Sequence, residues 1–324
     1  MSNIPKKPEK LRVFTWGFEW LKALDTSVSQ QFTQNTGIKI EYEIAKQGLI
    51  LPDNLLDALK NSAKPPFDVI WSNDVVTMNL AKQGFCEELD ADTLPNLKNL
   101  KSDAKPDAFD RWYMVNLYWL PYVLVYRKAA FPGGAPQSWS VLSESRHQGK
   151  IAFYPGGKGI YPIAQLLGGG TIENIPDNMD ACWNYLESIK NQTNIFDITP
   201  PLIELFKNAE LNLCFRVIPD ANILLAEQLD VGWTIPKEGS SSAADVMWVP
   251  KYLPDNISYW AKQYINFAIA AQPQETWCRM LEAISVNPQV ADRFSSTKIF
   301  HVAQKTKMRY EPEWMAKCSS IFTR

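Results

Sequence analysis

The 324-residue chain is 46% apolar and 21% charged, with a formal net charge of -2, which leaves room for two domains of ordinary size. Acids and bases are interspersed, so there is no basic stripe for nucleic acid and no polybasic segment for a membrane surface. No window approaches the roughly 20 apolar residues of a membrane-spanning helix.

The opening MSNIPKKPEK has no apolar signal-peptide core and reads as the start of a mature protein, a leader having been either removed or never present. Residues 11–15, LRVFT, predict a short strand. Trp16 and Gly17 then turn the chain into a helical pattern over 18–33. Residues 36–44 alternate as a half-buried strand, 55–60 form a short helix, and PFDVIWSND at 66–74 supplies a third strand. This β-α-β-α-β rhythm implies a parallel sheet with ligands beyond the carboxyl ends of its strands, at Trp16 and Gly17 and at Ser72, Asn73 and Asp74. A helix over 75–83 follows, and 94–110 reads as a surface connection.

The aromatic run YMVNLYWLPYVLVYRK at 113–128 contains Pro121, which sits badly inside one central strand, so two strands with a crossing between them are expected. Next come GKIAFYPGGKGIYPIAQLLGGG at 149–170, helices near 179–190 and 202–208, a strand at 211–215 and a helix at 222–227. Residues 236–245 read as a Gly-Ser-rich loop joining a strand that ends at Ile235 to another at 246–249. Helices over 258–271 and 273–285 precede a polar C-terminal tail. No internal repeat is visible.

Five dispersed cysteines form no CxxC pattern, and their odd number leaves at least one thiol unpaired; Cys182 and Cys214 are the one pair considered for a disulfide. With only His147 and His301, histidine-rich metal sites lack material, and neither metal nor cofactor is expected.

Several residues carry binding chemistry. In GGKGIYP, the glycines, Lys158 and Tyr161 lie at an expected helix start that favours an anion; the same residues also describe a solvated surface turn. Arg216, just after a predicted strand, has a fork suited to a carboxylate, or it pairs with Asp220. Trp16, Phe18, Glu19 and Trp20 follow the first strand, where aromatic faces and Glu19 suit an ammonium, although Trp20 also fits a core position. Asp74 is either a cation contact or a helix N-cap. Asp245 is a further cation contact, and Trp119 and Tyr122 flank the crossing at Pro121 as candidate ligand contacts.

The order and spacing of LRVFTWGFEW at 11–20, PFDVIWSND at 66–74 and PKEGSSSAADVMWVPK at 236–251 resemble the type II periplasmic solute-binding proteins of ABC importers, in particular the spermidine/putrescine-binding branch. The resemblance implies an α/β fold of two lobes with hinge crossings, near residues 120–122 and 235–237, that close about a solute in the interlobe cleft. The first lobe would comprise 1–121 and 236–290, the second 122–235, with 291–324 packing on the lobes. It also implies a periplasmic monomer, its leader removed, partnered by an ABC permease.

Asn116, Leu117, Leu120 and Pro121 depart from the family's usual hinge pattern, and Ala243 stands where it carries a tryptophan. The family's acidic second wall is replaced by Lys158 and Arg216, so a zwitterionic solute is expected, such as an amino-acid conjugate, an opine-like compound or an aminophosphonate. The alternative is a polyamine held by Glu19, Asp74 and Asp245. An enzyme on the same scaffold would use Cys214 as nucleophile, and ferric-ion binding lacks its adjacent tyrosines.

Overall fold

Strand β1 (Lys10–Thr15) leads through Gly17 into α1 (Phe18–Leu24), which continues by a π-helical turn at Asp25–Ser29 into α2 (Gln30–Thr36). Ser27 donates to the Ala23 carbonyl at 2.5 Å within the wide turn, and Gly37, at φ 78°, ends the helix. Strand β2 (Lys39–Ile44), helix α3 (Asp53–Lys60), strand β3 (Val69–Asn73) and helix α4 (Asp74–Lys82) follow. These are coordinates of a computed structural model that describes residues 4–45, 51–195 and 199–322; the first three residues of the mature-like opening lie outside them. Both β2 and β3 pair with β1 in parallel, so the carboxyl ends of all three strands lie along one edge. Every residue of β3 is buried, which accounts for its unbroken apolar run.

Residues 115–127 form one continuous strand, β4 (Val115–Arg127), rather than the expected two. Its pairing changes along its length, with Tyr118 and Trp119 opposite Ser285 and Ile284, and 122–126 opposite 217–213. Pro121 falls between these two ladder segments, where its missing N–H leaves neither of them short of a donor.

Next come β5 (Ile151–Phe153), α5 (Tyr161–Leu167), α6 (Asp180–Ser188), β6 (Thr193–Ile195), α7 (Thr199–Lys207), β7 (Leu213–Val217), α8 (Ile218–Ala226) and β8 (Val231–Thr234). Helix α8 begins directly after β7, with Pro219 in its first turn, four residues earlier than the sequence suggests. Strand β9 (Ser240–Trp248) overturns the expected Gly-Ser loop. Two of its serine hydroxyls are satisfied by main chain, Ser240 donating to the Tyr122 carbonyl at 2.5 Å and Ser241 to that of Gly159 at 2.6 Å. Helices α9 (Asp255–Ala268) and α10 (Ala271–Leu281), short strands β10 (Ile284–Ser285) and β11 (Ile299–Phe300), and α11 (Gln304–Phe322) complete the chain. The expected polar tail is thus largely helix.

The described residues divide into two compact units, one from Met1–Trp119 and Ala244–Arg293, the other from Leu120–Ala243 and Phe294–Arg324. The chain therefore passes from unit to unit within β4, within β9 and after Arg293, and residues 236–243 and 294–324 belong to the second unit. Pro236 is not at a passage; it opens a turn closed by the Gly239 amide at 2.9 Å.

In the first unit, β3 pairs antiparallel with the second half of β9. Its core includes a set of edge-to-face aromatics, Trp71 lying 4.9 Å from Trp277 and 6.2 Å from Tyr118 between ring centroids. In the second unit, β4 is flanked by antiparallel β7 and β8, and β5 runs parallel to both β7 and β6. Val123, Cys214, Phe206 and Leu224 contribute to one apolar cluster beneath this sheet.

Candidate functional site

In the first unit the carboxyl end of β3 meets β9, with Asn73 opposite Asp245 in the ladder. The Asp245 carboxylate accepts from the Tyr118 hydroxyl at 3.1 Å. Burial, reinforced by that carboxylate, pushes the Tyr118 phenol well above its usual pKa, so it stays a donor. Asn73 caps α4 by accepting from the Val75 amide at 3.1 Å, which makes Asn73 the N-cap in place of Asp74. Asp74 is fully buried one residue on and accepts from the same amide at 2.8 Å. Ser72 turns into the core, where its hydroxyl meets Thr77 at 2.7 Å and accepts from the Trp248 indole at 3.0 Å. Its hydrogen-bonding capacity is taken up there.

Trp16 follows β1 half-buried, and its enclosed indole N–H has no hydrogen-bond partner among the described residues. Phe18, two residues on, is 79% exposed and holds a left-handed backbone at φ 54°. Glu19 is exposed and pairs with Lys22 at 3.5 Å. Trp20 packs edge-on against Trp71 at 6.0 Å, in keeping with a core position. Trp119 is buried and donates to Asp103 at 2.8 Å. Asn73 and Asp245 are therefore brought together, with Asp74 buried one residue on, whereas Ser72 and Trp119 are committed elsewhere.

In the second unit, Tyr154 follows β5 and Arg216 is the penultimate residue of β7, inside the strand and not after it. The guanidinium is 1% exposed, lies 4.2 Å from the Tyr154 ring centroid and donates to the Phe215 carbonyl at 2.7 Å. The Tyr154 hydroxyl in turn donates to the partly exposed Asp220 carboxylate in the first turn of α8. Burial raises the pKa of Asp220, while Tyr154 and the Arg216 charge pull it back. A partly exposed acid–phenol pair thus overlies a buried arginine. Nothing in the sequence singles out Tyr154, whose one signal is its place at the end of a three-residue strand.

The glycine turn has a different role from the anion cradle expected of it. A Cβ on Gly156 would lie 2.7 Å from the Met315 Cβ, one on Gly157 2.5 Å from the Cys318 Sγ, and one on Gly159 2.3 Å from the Tyr122 ring; all three glycines have positive φ. These glycines admit helix α11 and Tyr122 at close range. Tyr122 stacks on Phe215 at 4.6 Å, and buried Tyr161 donates to the Gly156 carbonyl at 2.5 Å. The half-buried Lys158 makes no side-chain hydrogen bond or ion pair among the described residues.

Cys214 is fully buried in the apolar cluster, and burial pushes its thiol up to about 12. A nucleophile needs the opposite shift. All five cysteines are free and buried, so Cys182 and Cys214 are not bridged. No metal-holding group of His, Cys, Asp and Glu occurs among the described residues.

A family model described as bacterial extracellular solute-binding protein matches residues 27–307. The spermidine/putrescine-binding periplasmic protein of Escherichia coli K12 is 23% identical over 273 residues, spanning 80% of this chain and 74% of the relative. Among solved structures, the Atu4243-GABA receptor superposes with a TM-score of 0.77 at 18% identity, covering 97% of this chain and 98% of that one. AgtB from A. tumefaciens R10, in complex with agropinic acid, gives 0.74 at 15%, with 98% and 100% covered. At these identities the structural likenesses establish the fold.

Proposed function

The chain belongs to the bacterial extracellular solute-binding proteins, which serve ABC transporters, and from that premise we propose that it captures a small polar, zwitterionic organic solute. Amino-acid conjugates, opine-like compounds and aminophosphonates are the classes in view. The observation that carries this reading is Asp245, a carboxylate set opposite Asn73 at the end of β3 and held by a phenol that cannot ionise at neutral pH. That constellation suits an ammonium group. In the second unit, Lys158 is the cation we assign to an acidic group of the solute, and Arg216 is a buried positive charge of the same unit. In this reading the protein works as a periplasmic monomer and delivers its solute to an ABC permease.

A polyamine is the second reading, favoured by the partly exposed Asp220 lying over Arg216 and by the name of the Escherichia coli relative. A thermal-shift screen of polyamines, amino acids, opines and phosphonates separates the two, because a ligand that binds only the folded form raises the melting temperature by mass action. Stabilisation by a compound bearing both charges is expected. Stabilisation by putrescine or spermidine, with no response to any anion-bearing compound, contradicts the zwitterion reading.

A further inference from the structure

We propose that Cys182 and Cys318 are a latent disulfide pair which, once oxidised, staples the C-terminal helix α11 to α6 within the second unit. The residues that flank the two buried thiols converge on Tyr161 and on each other. The Tyr161 ring lies 6.0 Å from Trp183, the neighbour of Cys182, and 5.3 Å from Trp314, one turn before Cys318. The other neighbouring residues also meet, with the Lys317 ammonium 4.5 Å from the Trp183 ring centroid. Cys318 Sγ sits over the backbone of Gly157, and the Cys182 amide is fixed by Gln165 at 3.0 Å. Both side chains are fully buried, and each thiol adds to the electrostatic burden on Tyr161. The remaining cysteines lie elsewhere, Cys214 in the cluster beneath β7, and Cys86 and Cys278 in the first unit.

The oxidant is a disulfide, either a low-molecular-weight one such as oxidised glutathione or the disulfide of an oxidoreductase. One cysteine thiolate attacks it, the oxidant's S–S bond breaks, a mixed disulfide with the protein forms, and the other half of the oxidant leaves as a first thiol. The second thiolate then attacks the sulfur of its partner and displaces a second thiol. Two S–H bonds of the protein are lost, one S–S bond is gained, and the oxidant carries away both protons and both electrons. Burial pushes both thiols up, Cys318 to about 12, so little thiolate exists at neutral pH and the folded protein reacts slowly. The bond would fix α11 against the turn that carries Lys158 and Gly159. Capture of solute is not required for any of this.

The test uses the full chain incubated with oxidised glutathione at pH 8.5, blocked with N-ethylmaleimide and read by intact mass and peptide mapping without reduction. The expected product has lost two hydrogens, carries a Cys182–Cys318 crosslinked peptide and melts on the order of 5 °C higher than the reduced protein. Cys182→Ser and Cys318→Ser should each abolish both the mass loss and the melting shift, while Cys214→Ser should retain them. Persistent free thiols, glutathione adducts without a crosslink, or a different pairing would overturn the proposal, and the wild-type map decides this even if a variant folds poorly.

Discussion

The Tyr118 hydroxyl donates to the Asp245 carboxylate at 3.1 Å, tying the strand that leaves the first unit to the strand that re-enters it. Tyr118 is fully buried and Asp245 9% exposed, so the pair joins a core aromatic to a group at the surface of that core. Tyr118→Phe should lower stability by about 1 kcal/mol, as for one buried hydrogen bond whose acceptor keeps access to water. Urea denaturation checks this, and a loss above roughly 3 kcal/mol would mean that Tyr118 also supports the neighbouring tryptophans through its hydroxyl.

Arg216 is held by its strand, by the Tyr154 ring and by the field of Asp220. Arg216→Ala leaves those partners without their cation and should destabilise the second unit by roughly 3 kcal/mol. Arg216→Lys should recover only part, because a point charge reproduces neither the stacking nor the fork. Unchanged melting in Arg216→Ala, with weakened solute binding, would instead make Arg216 chiefly a ligand contact.

Phe18 holds a left-handed backbone while 79% of its surface is exposed. A left-handed conformation costs a non-glycine residue on the order of 1–2 kcal/mol. Phe18→Gly removes that cost at the expense of more chain entropy and should leave stability unchanged or raised by up to about 1 kcal/mol. A clear fall in melting temperature would show that the ring makes a stabilising contact.

His147 is buried against Phe131, with Nδ1 facing the Asn212 amide at 3.2 Å. Burial lowers its pKa below 6.5, Arg146 and Lys150 add to the effect, and Glu144 opposes it. A depressed folded pKa gives stability that is present above the unfolded value and lost as pH falls below about 6.5. His147→Gln should therefore lose less stability than the wild type between pH 7 and pH 5. Parallel melting-temperature profiles would contradict this.

Much of the first unit is legible in the sequence because its signals are local. The β-branched run at 11–15, the alternation at 36–44 and the apolar run ending in Ser72 and Asn73 each declare a strand, and their alternation with helices declares parallel pairing. What escapes depends on partners distant in the chain. Ser240 and Ser241 have loop composition, yet carbonyls of Tyr122 and Gly159 make them strand. The glycines at 156–159 look like a ligand cradle because the helix that needs them lies some 150 residues on. In TWGFEW it is Phe18, and not the neighbouring Gly17, that carries the positive φ. The candidate site is legible in part: Asn73 and Asp245 stand opposite each other, Tyr118 and Tyr154 are not singled out by the sequence, and Ser72 and Trp119 are spent on the fold.

Titration calorimetry on the wild type and Asp245→Asn, with 4-aminobutyrate, putrescine and spermidine as probes alongside any compound that raises the melting temperature, tests the central claim most directly. The account predicts saturable binding of at least one compound bearing both an ammonium and an anionic group to the wild type and at least a tenfold loss of affinity, about 1.4 kcal/mol, in Asp245→Asn. Equal affinities in the two proteins, or binding confined to compounds that lack either the ammonium or the anionic group, would contradict it.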